Sequence, residues 1–193
     1  FILQDSGASL YVTDAAGVAE LEPLRAQLPQ LRDVLCIDPG DAGAQWRAQL
    51  DASAIDSVPP LVVDPFEPAA IAYTSGTTGR PKGAVHSHHN VLLPGAIKAH
   101  EQYFGTDCVQ GVMLPLTILN LMVLAPLVAF QYGSCCVCMD SLKPEEIARW
   151  VREERIGHFA SVPTVIQDLL TSERVNPGDL VTLGQPEIGG AGI

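Results

Sequence analysis

Apolar residues fall along this chain in short runs of two kinds, and the two kinds alternate. Residues 9–13, 34–37, 69–73, 109–114, 134–139 and 158–162 are brief apolar or β-branched runs that predict strands. The runs 69–73 and 134–139 read as buried strands, the latter with Cys136 and Cys138 on one face. Between the strands the spacing changes to three and four. Val18, Leu21, Leu24 and Leu28 predict a helix over 18–28. A second is predicted over 87–103, capped by Ser87 and kinked at Pro94-Gly95. A third covers 143–154. Pro144 suits its first turn, Glu145 and Glu146 its positive end, and Ile147, Trp150 and Val151 form the stripe. Pro163 opens a fourth helix, which carries Val165, Ile166, Leu169 and Leu170. A last strand is predicted to begin at 181–183 and run into Gly189-Gly190, and 40–68 reads as a connector with one short helix.

This alternation predicts an α/β fold: an open, largely parallel, doubly wound sheet with helices on both faces. Residues 1–68 are expected to close an N-terminal α/β subdomain and its connector, and 69–193 to form a second α/β subdomain. Phe1 and Ile193 do not read as natural ends, so the chain is expected to be part of a larger N-terminal domain. Ligands of such sheets bind at the carboxyl ends of strands.

One loop between these elements carries chemistry. Residues 73–83 read YTSGTTGRPKG. Gly76, Gly79 and Gly83 free the backbone of bulk, Thr74, Ser75, Thr77 and Thr78 supply hydroxyls, and Lys82 a mobile positive charge. That composition suits phosphate oxygens. The spacing is not that of the NTPase P-loop, because Lys82 lies three residues after Gly79 and is followed by Gly83.

Charge supports a polyanion at this loop and argues against nucleic acid. The chain has 22 Asp and Glu against 11 Lys and Arg, a net charge of −11. Residues 68–100 nevertheless contain no Asp or Glu, while they hold Arg80, Lys82, Lys98 and four of the five histidines. His86, His88 and His89 have no carboxylate or cysteine nearby in sequence, so no metal site is assigned to them. The five cysteines show no C-x-x-C spacing and read as buried reduced thiols of a cytoplasmic protein. Residues 111–130 are uncharged, but Pro115, Pro126, Thr117 and Asn120 argue for a strand, a loop and a buried helix rather than a membrane span.

The loop, with Val85, His86 and His88 after it, closely resembles the signature of the adenylate-forming (AMP-binding) superfamily, which includes acyl-CoA synthetases, aryl-CoA ligases and peptide-synthetase adenylation domains. The opening FILQDSGASLYVTD, Val162-Pro163-Thr164 and Gly189-Gly190-Ala191 match other family segments. The resemblance implies a fragment of an ATP-dependent carboxylic acid:CoA ligase, an acid-thiol ligase that forms acyl-AMP and passes the acyl group to a thiol. It implies ATP, Mg²⁺ and coenzyme A as cofactors, a small carboxylic acid as substrate, and Thr74, Ser75, Gly76, Thr77, Thr78, Gly79, Lys82, His86, Gly190 and Ala191 at the nucleotide, with Lys82 catalytic. Family parts expected after Ile193 include a magnesium-binding glutamate and a catalytic lysine, so the fragment alone is expected to be inactive. Residues 113–116 resemble the family's "LPLFH", but Thr117 and Ile118 replace its aromatic and histidine. Ile118, Leu119 and Met122 hint at an apolar acid or at simple core packing. Two alternatives stay open at this point: a non-catalytic nucleotide-binding relative and another phosphate-binding NTPase. Peripheral membrane contact also stays open.

Overall fold

A computed structural model describes residues 1–52, 61–75, 79–102, 107–117, 119–184 and 186–189. The chain divides into two compact units, residues 1–64 with 71–85 and residues 65–70 with 86–193.

The first unit opens with α1 (Ile2–Asp5), β1 (Leu10–Thr13), α2 (Ala15–Leu21), β2 (Asp33–Cys36) and α3 (Ala44–Ala52). β1 and β2 pair in parallel, with Leu10 opposite Asp33 and Thr13 opposite Cys36. Asp14 caps α2 by accepting from the Gly17 amide at 2.7 Å. The helix predicted over 18–28 therefore starts earlier and stops at Leu21. Pro23 has no N–H to continue the α-helical ladder, and residues Glu22–Gln27 tighten into a 3₁₀ helix. Leu21, Leu28 and Leu31 bury together against Leu3, Tyr11 and Val34.

β3 (Pro68–Thr74) and β4 (Lys82–Ser87) flank the glycine loop and pair with each other. The chain thus leaves the loop along a second strand before it turns helical. β3 is a strand, as expected, but it is largely exposed, and Ile71 is 44% accessible. A two-stranded sheet has no neighbouring strand or layer to cover both faces, so an apolar run here does not imply burial.

The second unit continues with α4 (His88–Gln102), β5 (Val109–Val112), α5 (Leu119–Leu124), α6 (Pro126–Tyr132), β6 (Cys135–Cys138), α7 (Pro144–Glu154), β7 (His158–Ser161), α8 (Pro163–Thr171) and β8 (Glu187–Ile188). Ser87 caps α4, its hydroxyl accepting from the Asn90 amide at 3.1 Å, and Pro94 sits inside that helix. The strands form one sheet in the order β6-β5-β7-β8, every pair parallel. This is the expected open parallel sheet. Its register sorts the side chains by face. Gln110 pairs with His158 and Ala160 with Glu187, so these four residues share one face. Phe159 points to the other face, where α7 and α8 bury Ile147, Val151, Val165, Ile166 and Leu169 around it. α4 lies on the polar face, where its Lys98 meets His158 and Glu187.

Three expectations change in this unit. β6 is an edge strand, and Cys135 and Cys138 are exposed rather than buried. Leu170 of α8 is exposed, one step off the buried stripe. The final strand is only Glu187–Ile188. Residues Pro177–Leu180 coil into a 3₁₀ turn, and Thr182 donates its hydroxyl to the carbonyls of Ile156, at 3.0 Å, and Val151, holding 181–184 out of the sheet. Residues 111–130 form the end of β5, then α5, then most of α6. No helix among the described residues is long and apolar enough to cross a membrane.

Candidate functional site

The glycine loop leaves β3 after Thr74 and re-enters β4 at Lys82. Thr74, Ser75, Gly79 and Lys82 are exposed there, and Gly76, Thr77 and Thr78 lie outside the described residues. Gly79 has φ +84°, and nothing lies within 4 Å of the position a Cβ would take. Its glycine serves the left-handed turn alone and leaves open space beside the backbone. Gly83 serves a different purpose from the one expected. A Cβ there would stand 2.9 Å from Ile71 Cγ2 and 2.9 Å from Tyr73 Cζ, so Gly83 makes room for the facing strand rather than for a ligand. The Tyr73 hydroxyl donates to Asp5 Oδ2 at 2.7 Å, and this bond to a carboxylate is the main reason its pKa is raised. The loop therefore rests on a hairpin fixed by ring packing and one charged hydrogen bond, while its hydroxyls and its lysine stay outside.

His86 closes β4 and is half-buried. Its Nδ1 lies 2.5 Å from Asn90 Oδ1, a bond that places the proton on Nδ1 and leaves Nε2 as the acceptor. His88 and His89 begin α4, and His89 stacks at 5.3 Å on Phe66. Gly190 and Ala191 lie outside the described residues, as do Ile118 and the end of the chain.

A second feature lies wholly within the sheet of the second unit. A cavity of about 360 Å³ opens toward the carboxyl ends of β5, β7 and β8. Val112, Leu114, Leu124, Ala160, Val162 and Ile188 give it apolar walls. Four polar side chains also border it: Lys98, Gln110, His158 and Glu187. Lys98 is 8% accessible, and its ammonium reaches Glu187 Oε2 at 2.9 Å, His158 Nε2 at 3.2 Å and the Leu124 carbonyl at 3.4 Å. An ammonium can only donate, so His158 Nε2 accepts and the ring proton sits on Nδ1. Gln110 is 1% accessible, and neither its amide nitrogen nor its amide oxygen has a hydrogen-bond partner.

Of this cluster, the residue pattern singled out only Lys98, as a cation in the acid-free stretch. The signal for Gln110 and His158 is a polar residue within or opening a four-residue apolar strand. Leu119 and Met122 are half-buried on α5 and are not among the described residues that line the cavity.

An exposed glycine and hydroxyl loop after a strand, together with a cavity at the carboxyl ends of a parallel sheet, places the chain among α/β proteins that bind small ligands at strand ends. The family model for AMP-binding enzymes matches residues 1–191, and the chain belongs to that family. A crotonobetaine/carnitine–CoA ligase from Escherichia coli is 29% identical over 177 residues, which make up 88% of this chain and 34% of the ligase. Among solved structures, apo MatB from Rhodopseudomonas palustris superposes with a TM-score of 0.82 at 21% identity, over 100% of this chain and 37% of that one. ATP-bound MatB from the same organism gives 0.79 at 22% identity, over 96% of this chain and 36% of that one. These two likenesses show the fold. The chain spans about a third of the length of the curated ligases it matches.

Proposed function

We propose that this chain is part of an AMP-forming acid-thiol ligase. A carboxylate oxygen of a small acid attacks the α-phosphorus of ATP, the bond to the bridging oxygen breaks, and pyrophosphate leaves. The sulfur of a thiol, that of coenzyme A in this reading, then attacks the acyl carbon of the acyl-AMP. The thiol proton is lost to solvent or base and AMP departs. The observation that carries the reading is the loop at 73–83, exposed between paired strands in a stretch without carboxylates, in a chain of the AMP-binding family.

The loop fits a polyphosphate. Gly79 leaves the backbone open on one side, and Lys82 is exposed. Thr74, Ser75, Thr77 and Thr78 would donate hydroxyls, and Gly76 and Gly79 backbone amides, to the β- and γ-phosphates. Lys82 would meet the charge that grows on departing pyrophosphate, which is where preorganised charge lowers the barrier most. His86, Gly190 and Ala191 would border the nucleotide. Mg²⁺ supplies neutralisation of phosphate charge in such reactions. The described residues contain no cluster of three candidate metal ligands, so within them the nucleotide's own oxygens would be the main holders of that ion.

Acid-dependent exchange of labelled pyrophosphate into ATP tests this, in the protein at its full encoded length. Lys82→Ala is expected to slow exchange about a hundredfold while changing ATP affinity little. An unchanged exchange rate rejects the role of Lys82. ATP binding with no exchange over a broad acid panel rejects the ligase reading in favour of a nucleotide-binding relative, a reading that Thr117 in place of the family's aromatic also favours.

A further inference from the structure

We infer that the cavity in the parallel sheet selects a short acid with a neutral, hydrogen-bonding tail, a carboxamide above all, and that Gln110 is the residue that reads this tail. The inference rests on the ligase reading above for the fate of the acid, but not for its binding.

The case begins with Gln110. A primary amide sealed from solvent with neither its donor nor its acceptor engaged destabilises the protein that carries it. Its place in β5, between Val109 and Gly111, would suit any apolar side chain. A structural amide in such a place normally finds partners, and this one borders an open cavity instead. A donor and an acceptor on one planar group are matched by a carboxamide, which pairs with both.

Charge narrows the choice. The fixed cation of the cavity is Lys98, and it lies 2.9 Å from the Glu187 carboxylate. The pair leaves the cavity formally balanced, so an anionic tail would meet Glu187 and a cationic one would meet Lys98. A hydrocarbon tail fits the walls but leaves the Gln110 amide unmatched. Length follows from the strand. Gln110 lies two residues before the end of β5 at Val112, about 7 Å, which a chain of about five or six atoms reaches from the strand ends.

Three acids of matched reach make the test: glutaramate, 5-methylhexanoate, in which an isopropyl group replaces the carboxamide, and glutarate, which carries a second carboxylate. Binding is measured by calorimetry, with and without ATP, on the protein at its full encoded length, and pyrophosphate exchange is measured in parallel. Glutaramate is expected to bind at least tenfold more tightly than either of the others, and Gln110→Leu is expected to remove that preference. The same substitution is expected to keep or raise the unfolding midpoint, because it deletes an unmatched amide. Preference for 5-methylhexanoate or glutarate overturns the inference. So does a Gln110→Leu variant that retains the amide preference, or one that is markedly less stable, which would assign Gln110 a structural part. Glutaramate binding that depends on Gln110 without any exchange upholds the inference while the ligase reading falls. Exchange with other acids but no glutaramate binding does the reverse.

Discussion

Lys98→Met tests whether the buried polar cluster organises the second unit. Methionine keeps most of the length of the stem and removes only the ammonium. Three contacts disappear: Glu187 at 2.9 Å, His158 at 3.2 Å and the Leu124 carbonyl at 3.4 Å. Breaking a fully buried ion pair by deleting one partner costs about 3–5 kcal/mol. Glu187 retains 34% of its accessibility, so water can solvate part of what Lys98 leaves behind. That places the loss near the low end, at about 2–3 kcal/mol. The effect should be local. β8 is only two residues long, pairs only with β7, and brings Glu187 to the cluster. Amide exchange followed by mass spectrometry reads it directly. Amides in β7, β8 and the Gly189 turn, whose N–H donates to the Ser161 carbonyl, should exchange about 30- to 150-fold faster, since about 1.4 kcal/mol is tenfold. Adding Glu187→Leu should restore a good part of the protection, because the orphaned carboxylate is then gone. Acceleration below about threefold, or a double variant no better than the single one, would refute the view that this pair holds the sheet edge.

Burial, followed by the nearby Cys138 and Cys135 thiols, pushes the Cys136 thiol up to about 12. At pH 8 its thiolate fraction is about a thousandfold below that of an ordinary thiol, and the higher nucleophilicity of a basic thiolate recovers only part of that. Iodoacetamide should therefore alkylate Cys136 about fiftyfold more slowly than a free peptide thiol, with exposed Cys138 labelled first. Equal labelling would contradict its environment. Gly83→Val would drive side-chain atoms into Ile71 and the Tyr73 ring, at a cost of about 1–3 kcal/mol. Amides of the β3–β4 hairpin should then exchange about tenfold faster, and a hairpin as protected as before would refute the packing role. Phe159→Ala removes a fully buried ring from the main core and should cost about 3–5 kcal/mol, seen as a lower urea midpoint.

How much of this was legible in the residue pattern depends on whether the information is local. The loop at 73–83 is legible because its chemistry sits in consecutive residues, and Ser87 and the α7 terminus are legible because caps are set within one turn. The parallel sheet is legible from the alternation of periods. Exposure of β3 is not, because the apolar run at 69–73 reports a strand and says nothing of what lies beside it. The edge position of β6 is lost for the same reason: three cysteines in four residues look buried until strand order puts them at the rim.

The polar cluster is the clearest case of non-local information. Lys98, Gln110, His158 and Glu187 come from four elements and span 89 positions from first to last. No spacing rule joins them. What joins them is register: Gln110 opposite His158, and Ala160 opposite Glu187, put three polar side chains on one face of a sheet whose other face is a hydrocarbon core. An apolar cavity would need only the walls. The strands here accept a buried charge pair and an unmatched amide as well, at a cost to stability that packing alone does not return. Polar groups kept at that cost on the binding face of a sheet point to recognition rather than to folding, and so the expectation of an apolar acid, drawn from Ile118, Leu119 and Met122, gives way to a polar one drawn from Gln110.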